Sequence, residues 1–109
     1  MPELDYFDTQ KDWEILDPKV KRKLCVYNDN LMLVKVQFLK GGVGSLHQHP
    51  HTQISYVSYG KFSYTIGEQT KILSAGDSCI IPSNILHGCE CLEDGELIDS
   101  FNPSRSDFL

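Results

Sequence analysis

Three of the chain's four histidines stand in one short stretch, His47-Gln48-His49-Pro50-His51, with Gln53 two residues further on. On an extended strand alternate side chains share a face, so His47 and His49 point the same way. The fourth histidine, His87, sits far along the chain in Ile81-Pro82-Ser83-Asn84-Ile85-Leu86-His87. Two imidazoles on one face and a third from a distant strand make a site for a divalent cation possible. Imidazole suits Zn, Ni and Fe, and with oxygen donors Mn. Pro50 interrupts the alternation, so it does not place His51, which is expected at a pocket rim. Cys89 and Cys91 follow His87 at steps of two and share its face. Small inward thiols usually pack as apolar residues.

Such a site needs strands to carry it. Short runs rich in Val, Ile, Leu, Tyr and Phe recur between Gly, Pro, Asn and Asp, the pattern of an all-β sandwich or barrel. The expected strands are 13–16, 21–27, 31–39, 53–59, 62–66, 69–73, 79–81, 85–92 and 96–101. Asn28-Asp29-Asn30, Gly60-Lys61, Gly67-Glu68, Ala75-Gly76-Asp77 and Glu93-Asp94-Gly95 read as turns, because these residues accept positive φ or bond their own main chain. Gly41, Gly42 and Gly44 open a loop. Residues 1–12 read as a loose arm held by Tyr6 and Phe7. No stretch has a helical period.

The bulk properties exclude some partners. A chain of 109 residues implies one domain. Its net charge of −5 and pI of 5.2 argue against nucleic acid, which is bound through clustered Lys and Arg. The one basic run, Lys19 to Lys23, follows Asp12, Glu14 and Asp17 and reads as a solvated strand edge. No segment approaches the roughly 20 apolar residues of a membrane span, and the acidic N-terminus has no signal-peptide pattern. A cytoplasmic protein with reduced cysteines is expected.

Two spacings carry a resemblance. Gly41 precedes His47 by five intervening residues, His49 follows after one, Gln53 after three and Gly60 after six; Gly76 precedes Pro82 by five and His87 follows after four. The two stretches, within 41–60 and 76–91, resemble the paired motifs of the cupin superfamily. That resemblance implies a jelly-roll barrel of antiparallel strands with a metal ion in its mouth, held by His47, His49, Gln53 and His87. It also implies pairing into a homodimer. Glutamate is usual where Gln53 stands. With four neutral ligands the ion would keep its full +2 charge and welcome an anionic ligand.

The C-terminal run Asp99-Ser100-Phe101-Asn102-Pro103-Ser104-Arg105 narrows the chemistry. Asp99 and Phe101 share a strand face, and arginine's planar fork matches a carboxylate. An acid, an aromatic ring and an arginine near a metal suit a sugar-acid substrate. This tail resembles that of the small single-domain cupins of pectin and alginate breakdown, which linearise 4,5-unsaturated monouronates to 5-keto-4-deoxyuronate. The resemblance puts the catalytic roles on Asp99, Phe101 and Arg105. Another metal cupin enzyme (a dioxygenase or lyase) and a non-catalytic sugar sensor are the alternative readings.

Overall fold

In the computed structural model of the protein, residues 6–8 and 12–109 are described. Eight antiparallel strands form one continuous sheet: β1 (Trp13–Asp17), β2 (Val20–Tyr27), β3 (Met32–Phe38), β4 (Val43–His47), β5 (Thr52–Ile66), β6 (Gln69–Ser74), β7 (Ser78–Ile81) and β8 (His87–Asn102). One 3-10 turn, Ser106–Phe108, follows. Among the described residues there is no α-helix, and so none long and apolar enough to cross a membrane.

The strands expected at 53–59 and 62–66 are one strand, β5, of 15 residues, and those at 85–92 and 96–101 are one strand, β8, of 16. Gly60-Lys61 and Glu93-Asp94-Gly95 therefore do not reverse the chain. They are bends at which β5 and β8, paired along their whole length, pass from one layer to the other. The early half of β5 and the late half of β8 join β1, β2, β3 and β7; the remaining halves join β4 and β6. The turns at Asn28-Asp29-Asn30 and Gly67-Glu68 do reverse the chain, but Ala75-Gly76-Asp77 does not: β6 and β7 lie one after the other along β5, both antiparallel to it. Asn28 caps its turn by accepting the amides of Asn30 and Leu31.

The bend has a visible cause. Gly60 has φ +88°, and a Cβ there would lie 2.4 Å from the Asp94 carbonyl oxygen and from Gly95 Cα. The bulges around it shift the inward positions of β5 from odd (Gln53, Ser55, Val57) to even (Phe62, Tyr64). Both layers then face one core, where Val20, Phe38, Val57, Ile81 and Leu97 meet Phe62, Tyr64 and Cys91. A second cluster, Met32, Val34 and Phe101, lies toward the other end.

Two further expectations are corrected. The basic run lies on β2, an inner strand paired with both β1 and β3, not on an edge. Its charges are partnered and half-buried: Lys21 lies over the Trp13 ring and Arg22 bonds Glu14. Gly44 belongs to β4, because it must lie against the Cys89 backbone. Of the expected arm, residues 1–5 and 9–11 lie outside the described residues. Tyr6 and Phe7 are largely exposed, and the ion pair here is Asp8 with Lys23, at 3.6 Å.

Gly60→Ala should cost about 2–4 kcal/mol, since a positive φ and a backbone clash combine. Gly76, with φ +92° and open space for 4 Å around the position a Cβ would take, provides the contrast. Gly76→Ala should cost about 1 kcal/mol, from backbone strain alone. Urea denaturation of the two variants measures the difference.

Candidate metal centre and active site

β4 ends at His47, which sits opposite His87, the first residue of β8. His49 lies just beyond the strand, in the irregular segment before β5, so simple alternation does not describe it. The cluster forms nonetheless. One nitrogen from each of His47, His49 and His87 lies within 4.8 Å of the others. His49 and His87 are buried and His47 is exposed, which makes His47 the open side of the cluster.

The backbone selects the tautomers. His47 Nδ1 bonds the Ser45 carbonyl at 2.8 Å, His49 Nδ1 the His51 carbonyl at 3.1 Å and His87 Nδ1 the Ile85 carbonyl at 2.9 Å. A carbonyl can only accept, so each Nδ1 carries the proton. In a neutral imidazole that leaves Nε2 as a bare lone pair. Burial favours the neutral ring: it lowers the pKa of His49, and that of His87 to about 4.

Gln53, on β5, completes the set. Its Nε2 donates to Ser55 Oγ at 3.1 Å, which turns Oε1 the other way. That oxygen lies 3.0 Å from His49 Nε2 and 3.2 Å from His87 Nε2. Three lone pairs thus converge with no proton among them. Such an arrangement is repulsive unless a cation sits within it, so these residues fit a divalent metal ion. Outer hydrogen bonds of the kind made by the three Nδ1 atoms are what hold metal-binding histidines in place.

Below this cluster is the buried carboxyl of Asp99, across the ladder from Ser55 and 2.6 Å from its hydroxyl. Burial raises its pKa to about 6, while hydrogen bonds from Ser55 and Gln53 and the charge of Arg105 pull it down. Phe101, across from Gln53, packs edge-on against His49 with ring centroids 5.9 Å apart. A cavity of about 250 Å3 touches His47, Gln53, His87, Tyr64 and Asp99. That is below the roughly 300–1,000 Å3 of sites for drug-sized ligands.

Arg105 is buried beside the cluster, its guanidinium 5.2 Å over the Phe101 ring and 4.3 Å over Phe108. Its Nε and Nη2 donate to the two oxygens of Asp107 at 3.0 and 2.8 Å. The fork expected for a substrate is therefore held on one edge by the protein itself, and Nη1 remains. Arg22 stacks on Phe108, 3.9 Å from the ring. His51, half-buried, lies next to His49 and outside the three-histidine group. Cys91 is in the core and Cys89 packs against it, and burial raises both thiols, Cys89 to about 12. Neutral thiols are poor ligands, in keeping with the packing role expected of them.

Reading the motifs did not find Ser55, Tyr64, Asp107 or Phe108. Ser55 carried a usable signal, because it follows Gln53 by two on a strand and must share its face. Asp107 and Phe108 had none, since their positions depend on the turn after Asn102. The metal reading predicts that His87→Ala, still folded, retains under about a tenth of the Zn2+ or Ni2+ equivalent bound by the unaltered chain. His51→Ala should retain about one equivalent, with elemental analysis after gel filtration as the measurement.

With this geometry the chain can be set beside known proteins. The cupin domain family model matches residues 34–99. The pectin degradation protein KdgF of Dickeya dadantii is 42% identical over 106 residues, which cover 95% of this chain and 96% of that one. An RmlC-like cupin from Shewanella frigidimarina superposes with a TM-score of 0.93 at 39% identity, over the full length of both chains. KdgF from a Halomonas species superposes with a TM-score of 0.92 at 37% identity, covering 97% of this chain and 100% of the other. Three converging imidazoles inside a two-layered antiparallel fold, together with these likenesses, place the chain in the cupin domain family, as a relative of the pectin degradation protein KdgF.

Proposed function

We propose that this protein is a metal-dependent enzyme of pectin or alginate breakdown that linearises 4,5-unsaturated monouronates to 5-keto-4-deoxyuronate. The observation that carries the reading is a buried, proton-active carboxyl, Asp99, joined by one hydroxyl to a cluster of neutral metal-type donors. The likeness to KdgF supports it along nearly the whole chain. His47, His49, Gln53 and His87 are the proposed ligands of a divalent ion, Zn, Ni, Mn or Fe. When bound, that ion supplies stabilisation of negative charge on substrate oxygens, with all four ligands neutral.

The substrate is a cyclic enol ether whose C1 is a hemiacetal. Opening needs the C1 hydroxyl to lose its proton, the bond from C1 to the ring oxygen to break, and that oxygen to leave as an enolate on C5. A proton then arrives at C4, and C5 becomes a ketone. No electrons enter or leave, so the conversion is a non-redox isomerisation. Asp99, with a pKa near 6, is suited both to take and to give a proton near neutrality. Arg105 keeps its Nη1 for the uronate carboxylate while Asp107 holds the opposite edge. Phe101, buried edge-on against His49 and beneath the Arg105 guanidinium, is proposed to fix both next to the sugar.

The assembly is proposed to be a cytoplasmic homodimer of single-domain chains. Four free thiols suit a reducing compartment. The outward face of the larger layer lines up Leu33, Ser100, Ile54 and Ile80 in one row and Ile98 and Tyr56 in the next. Ile54, Tyr56 and Ile80 are exposed there, an apolar patch that a second copy would cover. Ile54→Lys should shift the mass measured by light scattering from dimer to monomer.

The activity test mixes the metal-loaded protein with an unsaturated monouronate and follows loss of the alkene's ultraviolet absorbance over the spontaneous rate. Asp99→Ala should lower the catalysed rate about 100-fold or more with metal content unchanged. Full activity in that variant would remove Asp99 from the mechanism; no acceleration by the unaltered chain would leave a sugar-binding module.

A further inference from the structure

Gln53 can present either end of its carboxamide to the histidines. Toward the two histidines alone, the opposite orientation makes the better hydrogen bonds. An NH2 group would donate to the bare Nε2 atoms of His49 and His87, where the carbonyl oxygen meets two lone pairs at 3.0 and 3.2 Å. The orientation in the structure must therefore be held from behind, and Ser55 is what stands behind it.

Ser55 is completely buried and has one proton to give. That proton is committed to Asp99, at 2.6 Å. Tyr64, 2.9 Å away, must then donate to Ser55, and burial keeps its phenol protonated by raising its pKa. One lone pair of Oγ is thereby used, and the second takes the amide hydrogen of Gln53. The hydroxyl is saturated: toward position 53 it can accept and cannot donate. A flipped Gln53 would press its oxygen against Oγ. A glutamate would do the same, next to the Asp99 carboxyl.

We infer that Ser55 is a positioning residue that turns the Gln53 carbonyl toward the metal, and that the Tyr64–Ser55–Asp99 chain is why position 53 takes a neutral glutamine in place of a carboxylate. The inference rests on the reading of Gln53, His47, His49 and His87 as metal ligands. The proposed acid/base group and the metal are then coupled through a single oxygen atom, and the metal's undiminished charge follows from the hydrogen-bond arithmetic of a residue that touches neither metal nor substrate.

The test uses Co2+ as the probe, titrated into metal-free full-length chain and followed by calorimetry and by its visible ligand-field spectrum. Ser55→Ala should weaken Co2+ binding about 10-fold, the low end of what losing an outer partner of a metal ligand costs, and change the spectrum. In a Gln53→Glu background both ends of the side chain are oxygen, nothing needs orienting, and Ser55→Ala should change affinity less than about 2-fold on the same argument. Ser55→Cys, close in volume and a weak acceptor, carries the same pair of expectations if the alanine variant does not fold. Ser55→Thr, which keeps the hydroxyl, should restore the spectrum. Equal losses in the two backgrounds, or no loss beside Gln53, would overturn the inference. No Co2+ uptake by the unaltered chain would overturn the metal reading beneath it, and neither outcome depends on whether the uronate is the substrate.

Discussion

The whole arrangement depends on two backbones passing at contact distance. β5 and β8 pair along their full length, and halfway along they bend together from one layer into the other, with Gly60 against Asp94 and Gly95. No side chain fits between them. Because the contact lies in the middle of both long strands, it fixes the register on either side at once. On one side that register puts Phe62 and Cys91 opposite each other in the core. On the other it puts Ser55 opposite Asp99 and Gln53 opposite Phe101. The site is thus assembled by the same ladder that closes the fold, and its side chains need little local scaffolding of their own.

Within the site, the organising principle is that nearly every polar group has its hydrogen bonds already assigned. Three main-chain carbonyls occupy the Nδ1 atoms of the histidines. Ser55, itself bonded to the Tyr64 hydroxyl, takes up one oxygen of Asp99 and the amide NH2 of Gln53. Asp107 takes one edge of Arg105, and the guanidinium packs against two aromatic rings that meet edge-on. What each leaves over is directed inward: Nε2 atoms, a carbonyl oxygen, a carboxyl of raised pKa and the free end of a guanidinium. Burial makes these leftovers costly to ignore, since an unsatisfied polar atom out of water is penalised by about 1–3 kcal/mol. The same burial makes them strong ligands for a cation and an anion that fit.

The charge pattern follows from this. An acidic chain keeps its surface negative while the cluster carries neutral imidazoles, a neutral amide and the positive charge of Arg105. A bound dication would be opposed by no ligand charge, only by the nearby Asp99. An anionic group therefore finds its complement at this cluster.

Much of this was legible from the residues alone. Gly41, Gly60 and Gly76 mark positions with φ between +86° and +92°, which only the lack of a Cβ makes easy. The strand alternation put Asp99 and Phe101 on one inward face, and glycine-framed spacing drew His87 to His47 and His49. What sequence could not show was whether a glycine reverses the chain or bends it. Gly60 and Gly67 look alike locally; Gly67 turns a hairpin and Gly60 does not, because a distant partner strand runs past it. Nor could sequence say that Arg105 would be engaged by Asp107, or that one hydroxyl would join Gln53, Tyr64 and Asp99. Residue types and period-two spacing determine which chemistry the chain can do and which face carries it. Only the tertiary structure decides which donors are left unpaired, because hydrogen bonds are allotted among residues such as Ser55 and Asp99, 44 positions apart in the chain, and only the completed fold brings them within reach of one another.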